Sequence, residues 1–124
     1  AQYADLAEMY TADADIEPGT VVCFGGDKEV TTCMEASDKK VAGVVSTNPA
    51  YLMNSDAEGA VAIALQGRVP CKVKGKVAKG DMMVSAGDGM AMAHPDPKMG
   101  EVIGKALENH DGDHGVIEVV VGRM

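Results

Sequence analysis

From Thr20 onward the chain is written in short apolar or alternating runs separated by Gly, Asp and Pro. TVVCF (Thr20–Phe24), EVTTC (Glu29–Cys33), VAGVVS (Val41–Ser46), VAIALQ (Val61–Gln66) and RVPCKVKGKV (Arg68–Val77) come first. DMMV (Asp81–Val84), GMAMA (Gly89–Ala93), EVIGKALE (Glu101–Glu108) and GVIEVVV (Gly115–Val121) follow. Period-2 runs bounded by turn formers predict β-strands, and strands this short and frequent predict a barrel-like or sandwich-like domain. The first segment is different. In ADLAEMYTADAD (Ala4–Asp15), Leu6, Met9 and Tyr10 fall at i, i+3 and i+4, which predicts a short amphipathic helix. Pro18-Gly19 ends it.

The runs repeat. PGTVVCFGGDKEVTT (Pro18–Thr32) comes round again as KGDMMVSAGDGMAMA (Lys79–Ala93). Gly19, Gly26 and Asp27 recur as Gly80, Gly87 and Asp88, each 61 positions later, and VAGVV at Val41 meets VIGKA at Val102 with Gly43 on Gly104. One offset kept over three separated patches indicates an internal pseudo-repeat, with units over 16–46 and 77–107. Its Gly-Asp segments read as hairpin turns, where positive φ is easiest for Gly and Asp bonds its own backbone. The expected architecture is a single mainly β domain over 1–124, compact and β-clip or barrel-like, with a helical or linker segment over 1–15.

Composition narrows the class. At 124 residues and 46% hydrophobic, the chain can bury a real core. Aromatics are 3%, with one Phe and no Trp, so Val, Ala and nine Met must fill it. The net charge of −8 argues against a nucleic-acid partner, because gripping phosphates needs a basic stripe. The lysines of KVKGKVAK (Lys72–Lys79) alternate with apolar residues, as on the solvent face of a strand. No signal-peptide pattern and no apolar run long enough to cross a bilayer is present, so no membrane partner is expected. Cys23, Cys33 and Cys71 are odd in number and lie in apolar runs, which reads as buried free thiols in a protein made in a reducing compartment.

Candidate chemistry is sparse. HDGDH (His110–His114) is rich in ligand types but lies among turn formers between two strands. It reads as a solvated hairpin loop, without the supporting groups a metal site needs. His94 sits in another turn, AHPDP. Nucleophile elbow, phosphate loop and dinucleotide fingerprint are absent, so no conventional enzyme, cofactor or metal is expected. The remaining acid–base candidates are Asp5 and Glu8, three apart and neighbours if the segment is helical.

The phrases YADLAEMY, VAGVVSTNPAYLMN, ALQGRVPCKVKGKVAKGDMMV, GEVIGKALE and the closing VVVGRM resemble, over essentially the whole chain, a C-terminal domain of tailed-phage tail-fibre and virion appendage proteins. The marine and cyanobacterial phage versions are especially similar. YADLAEMY and GVVSTNPAYLMN also resemble segments of the autoproteolytic intramolecular-chaperone domain of phage pre-neck appendage and tailspike proteins. That second resemblance implies a domain that trimerises a fibre and is then released by self-cleavage near its own N-terminus, with Asp5 and Glu8 in the acidic neighbourhood of the cut. Together the resemblances imply a homotrimer contacting other virion proteins, located in the virion and made in the host cytoplasm, and the first implies that VGRM is the natural end of a longer polypeptide. Two further readings stand beside it. One is a trimeric decoration protein of the phage capsid. The other is a receptor-binding tip, against which the scarcity of aromatics argues.

Overall fold

The computed structural model describes residues 5–46, 51–53 and 59–122. Residues 1–4, where the N-terminal cut is expected, and the last two residues of the closing VGRM lie outside the described residues, as do 47–50 and 54–58. The strands are β1 (Asp5–Thr11), β2 (Val21–Phe24), β3 (Val30–Thr32), β4 (Val41–Val45) and β5 (Tyr51–Met53), then β6 (Ala60–Lys74), β7 (Met82–Gly87), β8 (Met90–Ala93), β9 (Val102–Ala106) and β10 (His114–Val121).

The fold is mainly β, and among the described residues there is no helix. The predicted N-terminal helix is corrected: Asp5–Thr11 is a strand, paired antiparallel to β6 from Asp5↔Gly67 to Thr11↔Ala60 and parallel to β5. An isolated segment of seven residues gains little from helical propensity, and long-range pairing decides instead. VAIALQ and RVPCKVKGKV are also not two strands but parts of one, β6, 15 residues long.

Strand β6 joins two rings of pairings. Its first part pairs with β1 and β4, β4 pairs with β2, β2 with β3, and the parallel bridge Ala12↔Val30 returns the chain beside β1. Its second part pairs with β10, β10 with β9, β9 with β7 and β7 with β8. The parallel pair Val73↔Ala91 closes that ring. Closing a sheet on itself removes its free edges. Gly67 is the crossing point: β1 flanks it through Asp5 and β10 through Val121.

The offset of 61 relates most of the two rings residue by residue. Val22↔Thr32 and Phe24↔Val30 in the first ring match Met83↔Ala93 and Ser85↔Ala91 in the second. Val21↔Val44 and Val22↔Gly43 match Met82↔Lys105 and Met83↔Gly104, with a register shift at the corresponding place, Val22/Cys23 and Met83/Val84. Even the closing bridges correspond, Ala12↔Val30 with Val73↔Ala91. The glycines repeat for two reasons. Gly26 and Gly87 take φ of 76° and 94° in the hairpins. Gly43 and Gly104 instead let neighbouring backbone approach: a Cβ on Gly43 would lie 2.6 Å from the Ala64 carbonyl oxygen, and one on Gly104 would overlap that of Val120.

Burial follows strand alternation. Val22, Val30, Val45 and Ile63 fill the first ring, with Tyr10, Ala12 and Ile16 against them. Cys71, Val73, Met83, Ala91, Ala106 and Val119 fill the second. The opposite face of the first ring, Val21, Cys23, Cys33, Val44 and Ala64, is buried in that same larger cluster. This seam fastens the halves together. Cys23 and Cys33 are not free thiols, as the sequence suggested, but a disulfide with Cα atoms 5.1 Å apart, within the usual range. Cys71 alone is a free, buried thiol, pushed up to about 12 by desolvation.

Candidate functional site

The strand separates the two acidic candidates. Glu8 lies opposite Ile63, whose side chain is inside the first ring, and Ala7 lies opposite Ala64 on the seam face. Asp5 shares the face of Ala7, because alternate residues of a strand point the same way. Asp5 and Glu8 therefore project to opposite faces, and the proximity a helix would have supplied is lost.

Their surroundings differ as well. Asp5 is 4% exposed, and neither carboxylate oxygen has a hydrogen-bond partner among the described residues. A buried acceptor left unused costs free energy and calls for an explanation. Glu8 is half-buried and accepts a hydrogen bond from the Tyr10 hydroxyl at 3.3 Å. Tyr10 in turn meets Phe24 edge to face, ring centres 5.6 Å apart at 80°.

That aromatic pair borders a groove of about 380 Å³ between the halves. Tyr10, Phe24 and Leu65 line it from the first half, and Met99, Ile103 and Val121 from the second. Phe24 is 44% exposed and Met99 is 92% exposed. Sequence reasoning missed this feature. The available signal was the one Phe of the chain, placed at a strand end before Gly25-Gly26 rather than in mid-strand.

The corresponding place in the second half is closed. Ser85, equivalent to Phe24, is fully buried. Its hydroxyl donates to the Glu35 carbonyl at 2.9 Å and accepts from the Asp38 N–H at 2.8 Å. Segment Met34–Asp38 thus lies along β7, with an antiparallel bridge Ala36↔Ala86 and a Ser37 N–H to Ser85 carbonyl bond of 2.8 Å.

The remaining charged motifs are built into the surface. The His110 ring packs against Gly115, its Nδ1 lies 2.8 Å from the Gly75 carbonyl oxygen, and its backbone bonds Val77 in both directions. HDGDH therefore pins the end of β6 to the start of β10. Among the described residues, no three His, Cys, Asp or Glu side chains converge as metal ligands. Lys72 reaches Glu17 at 2.8 Å, and that hydrogen bond and charge hold the Glu17 carboxyl below its ordinary range. Burial, then repulsion from Glu108, push the Glu118 carboxyl up, with Arg68 opposing them.

No protein-family model matches this chain. No curated protein matches it. Several solved structures share its fold, two of them from one phage. One is the pre-mature gene product 12 of bacteriophage phi29, at TM-score 0.76 and 14% identity, covering 98% of this chain. This chain spans only 22% of that one. The other is the N base of the head fiber gp8.5 of the same phage, at TM-score 0.55 and 17% identity, covering 94% of this chain and 92% of that one. At these identities the likeness is one of fold, and it runs through the whole double ring.

Proposed function

We propose that this chain is a structural module of a tailed-phage virion, standing at the end of a fibre or appendage polypeptide and associating with two further copies of itself. The observation that carries this reading is the match of nearly the whole chain to a small part of a longer phage protein, gene product 12. A part that folds as a closed double ring suits an assembly task. Three compact ends brought together raise the local concentration of the chains they terminate and set their alignment. Sedimentation of the purified domain tests this: a trimer at micromolar concentration supports it, and a monomer overturns it.

Self-cleavage near the N-terminus belongs to the same reading, and buried, unpartnered Asp5 is the observation that favours it. Its test is separate. The natural gene is expressed in full, beside Asp5→Asn and Glu8→Gln variants, and the products are examined by intact mass and N-terminal sequencing. A fragment beginning near Ala1 that disappears in the Asp5 variant supports cleavage. An uncut chain removes that step and leaves the assembly role standing.

A second reading, a protein of the capsid surface, has its own observation: the head fiber base is matched over nearly its full length. Binding of the soluble domain to purified capsids would favour it over the fibre end.

A further inference from the structure

The two halves share their strand registers but not what covers them. In the second half, the stretch of β7 beyond β9 is paired by Met34–Asp38 from the first half. The offset of 61 makes Pro95–Met99 the counterpart of that segment and Phe24–Gly26 the counterpart of the covered stretch. Among the described residues, no hydrogen bond joins Pro95–Met99 to Phe24–Gly26. The sequence explains why. Pro97 stands where Ala36 makes its bridge, and proline has no N–H and resists strand pairing. Phe24 and Met99, one from each of these two stretches, both line the groove.

We propose that this groove docks an extended peptide of another protein, carrying an apolar side chain followed by acidic ones and pairing with the end of β2 as Met34–Asp38 pairs with β7. The fold itself supplies the template for the backbone, which is strand addition to an exposed edge. The apolar walls, Tyr10, Phe24, Leu65 and Ile103, take the apolar side chain. The Met99 side of the rim supplies the charge preference, whereas the Asp13 carboxylate lies against Gly26 at the other end. Lys98 is exposed beside Met99, and exposed Lys39 lies against Gly100, which lines the groove. The template has this chemistry, since Met34-Glu35-Ala36-Ser37-Asp38 combines a methionine with two acids.

The test is an NMR titration of the whole chain with a capped synthetic peptide of sequence Met-Glu-Ala-Ser-Asp. The expected result is saturable shifts at Phe24, Gly25, Val41 and Met99, with a dissociation constant of about 0.1–1 mM, as suits so short a ligand. Met99→Asp, at an exposed position that leaves folding intact, weakens binding by about tenfold or more, and Phe24→Asp does the same. Replacing both acids of the peptide with lysine also weakens it. Absence of shifts in the groove up to about ten times that range, or equal binding of the lysine peptide, overturns the proposal. So do groove shifts that depend only on protein concentration, because the occupant is then a second copy.

Discussion

The two halves of the molecule repeat one backbone and differ at one mouth. In the first half Tyr10 and Phe24 stand at the open end of the ring, bordering the groove. In the second, the equivalent positions are Cys71 and Ser85, both fully buried. Register is set by the turn glycines and the close-approach glycines, which are kept in both copies. Surface character is set by side chains that the register does not constrain, and these have diverged. One half lends its linker to cover the other, and nothing described is lent back.

The largest expected effect tests whether the shared backbone rests on its shared glycines. Gly104→Ala puts a methyl group into the Val120 carbonyl oxygen, in backbone that cannot step aside. It should cost about 3 kcal/mol or more in urea denaturation, at the upper end for overpacking. Gly43→Ala meets Ala64 less closely and should cost about 2 kcal/mol. Two mild substitutions would mean the register is held elsewhere.

Next comes the disulfide, which only the first half has. Val84 and His94 occupy the equivalent positions in the second. Cys23→Val with Cys33→Ala makes that half resemble its counterpart. Loss of a cross-link ten positions apart should cost about 2–3 kcal/mol, chiefly through the freer unfolded chain. An unchanged denaturation midpoint would assign the stability of the seam to packing alone.

Ser85→Ala breaks the asymmetry from the other side. It removes two hydrogen bonds that tie the first half to β7 and should cost about 1–2 kcal/mol. Faster amide hydrogen exchange is expected at Ser37 and Asp38, whose N–H groups donate to Ser85. Exchange that accelerates uniformly would count against a local clasp.

The smallest effect concerns β10. Burial and Glu108 raise the Glu118 carboxyl, so the folded protein favours its protonated form. That contribution is fully present below the ordinary glutamate range, about pH 4, and is lost as pH rises through the raised value. Glu118→Gln should therefore raise the denaturation midpoint at pH 7 and leave it nearly unchanged at pH 3.5. A lower midpoint at pH 7 would show that attraction to Arg68 outweighs burial.

Much of the fold was legible. The runs marked out eight of the ten strands of the described residues, two runs merging into β6, and the glycine spacing marked the repeat between Gly19 and Gly104. What the repeat did not reveal was its extension to Asp5–Ala12 and Gln66–Val73, because these matching stretches share no pattern of residues. Pairing with β6 and β10 makes them equivalent, and such partners are invisible along the chain. For the same reason the first segment read as a helix, and Asp5 and Glu8 read as a pair.

By itself, the sequence determined which stretches are extended, where the chain turns and that two units share one plan. These follow from side-chain alternation and glycine's freedom at positive φ, which are local properties. The tertiary structure alone decided that Cys23 meets Cys33, that Asp5 is buried apart from Glu8, and that Met34–Asp38 closes one mouth while Pro95–Met99 leaves the other open. Each of these depends on which faces of distant strands come together, and only the closed rings fix that.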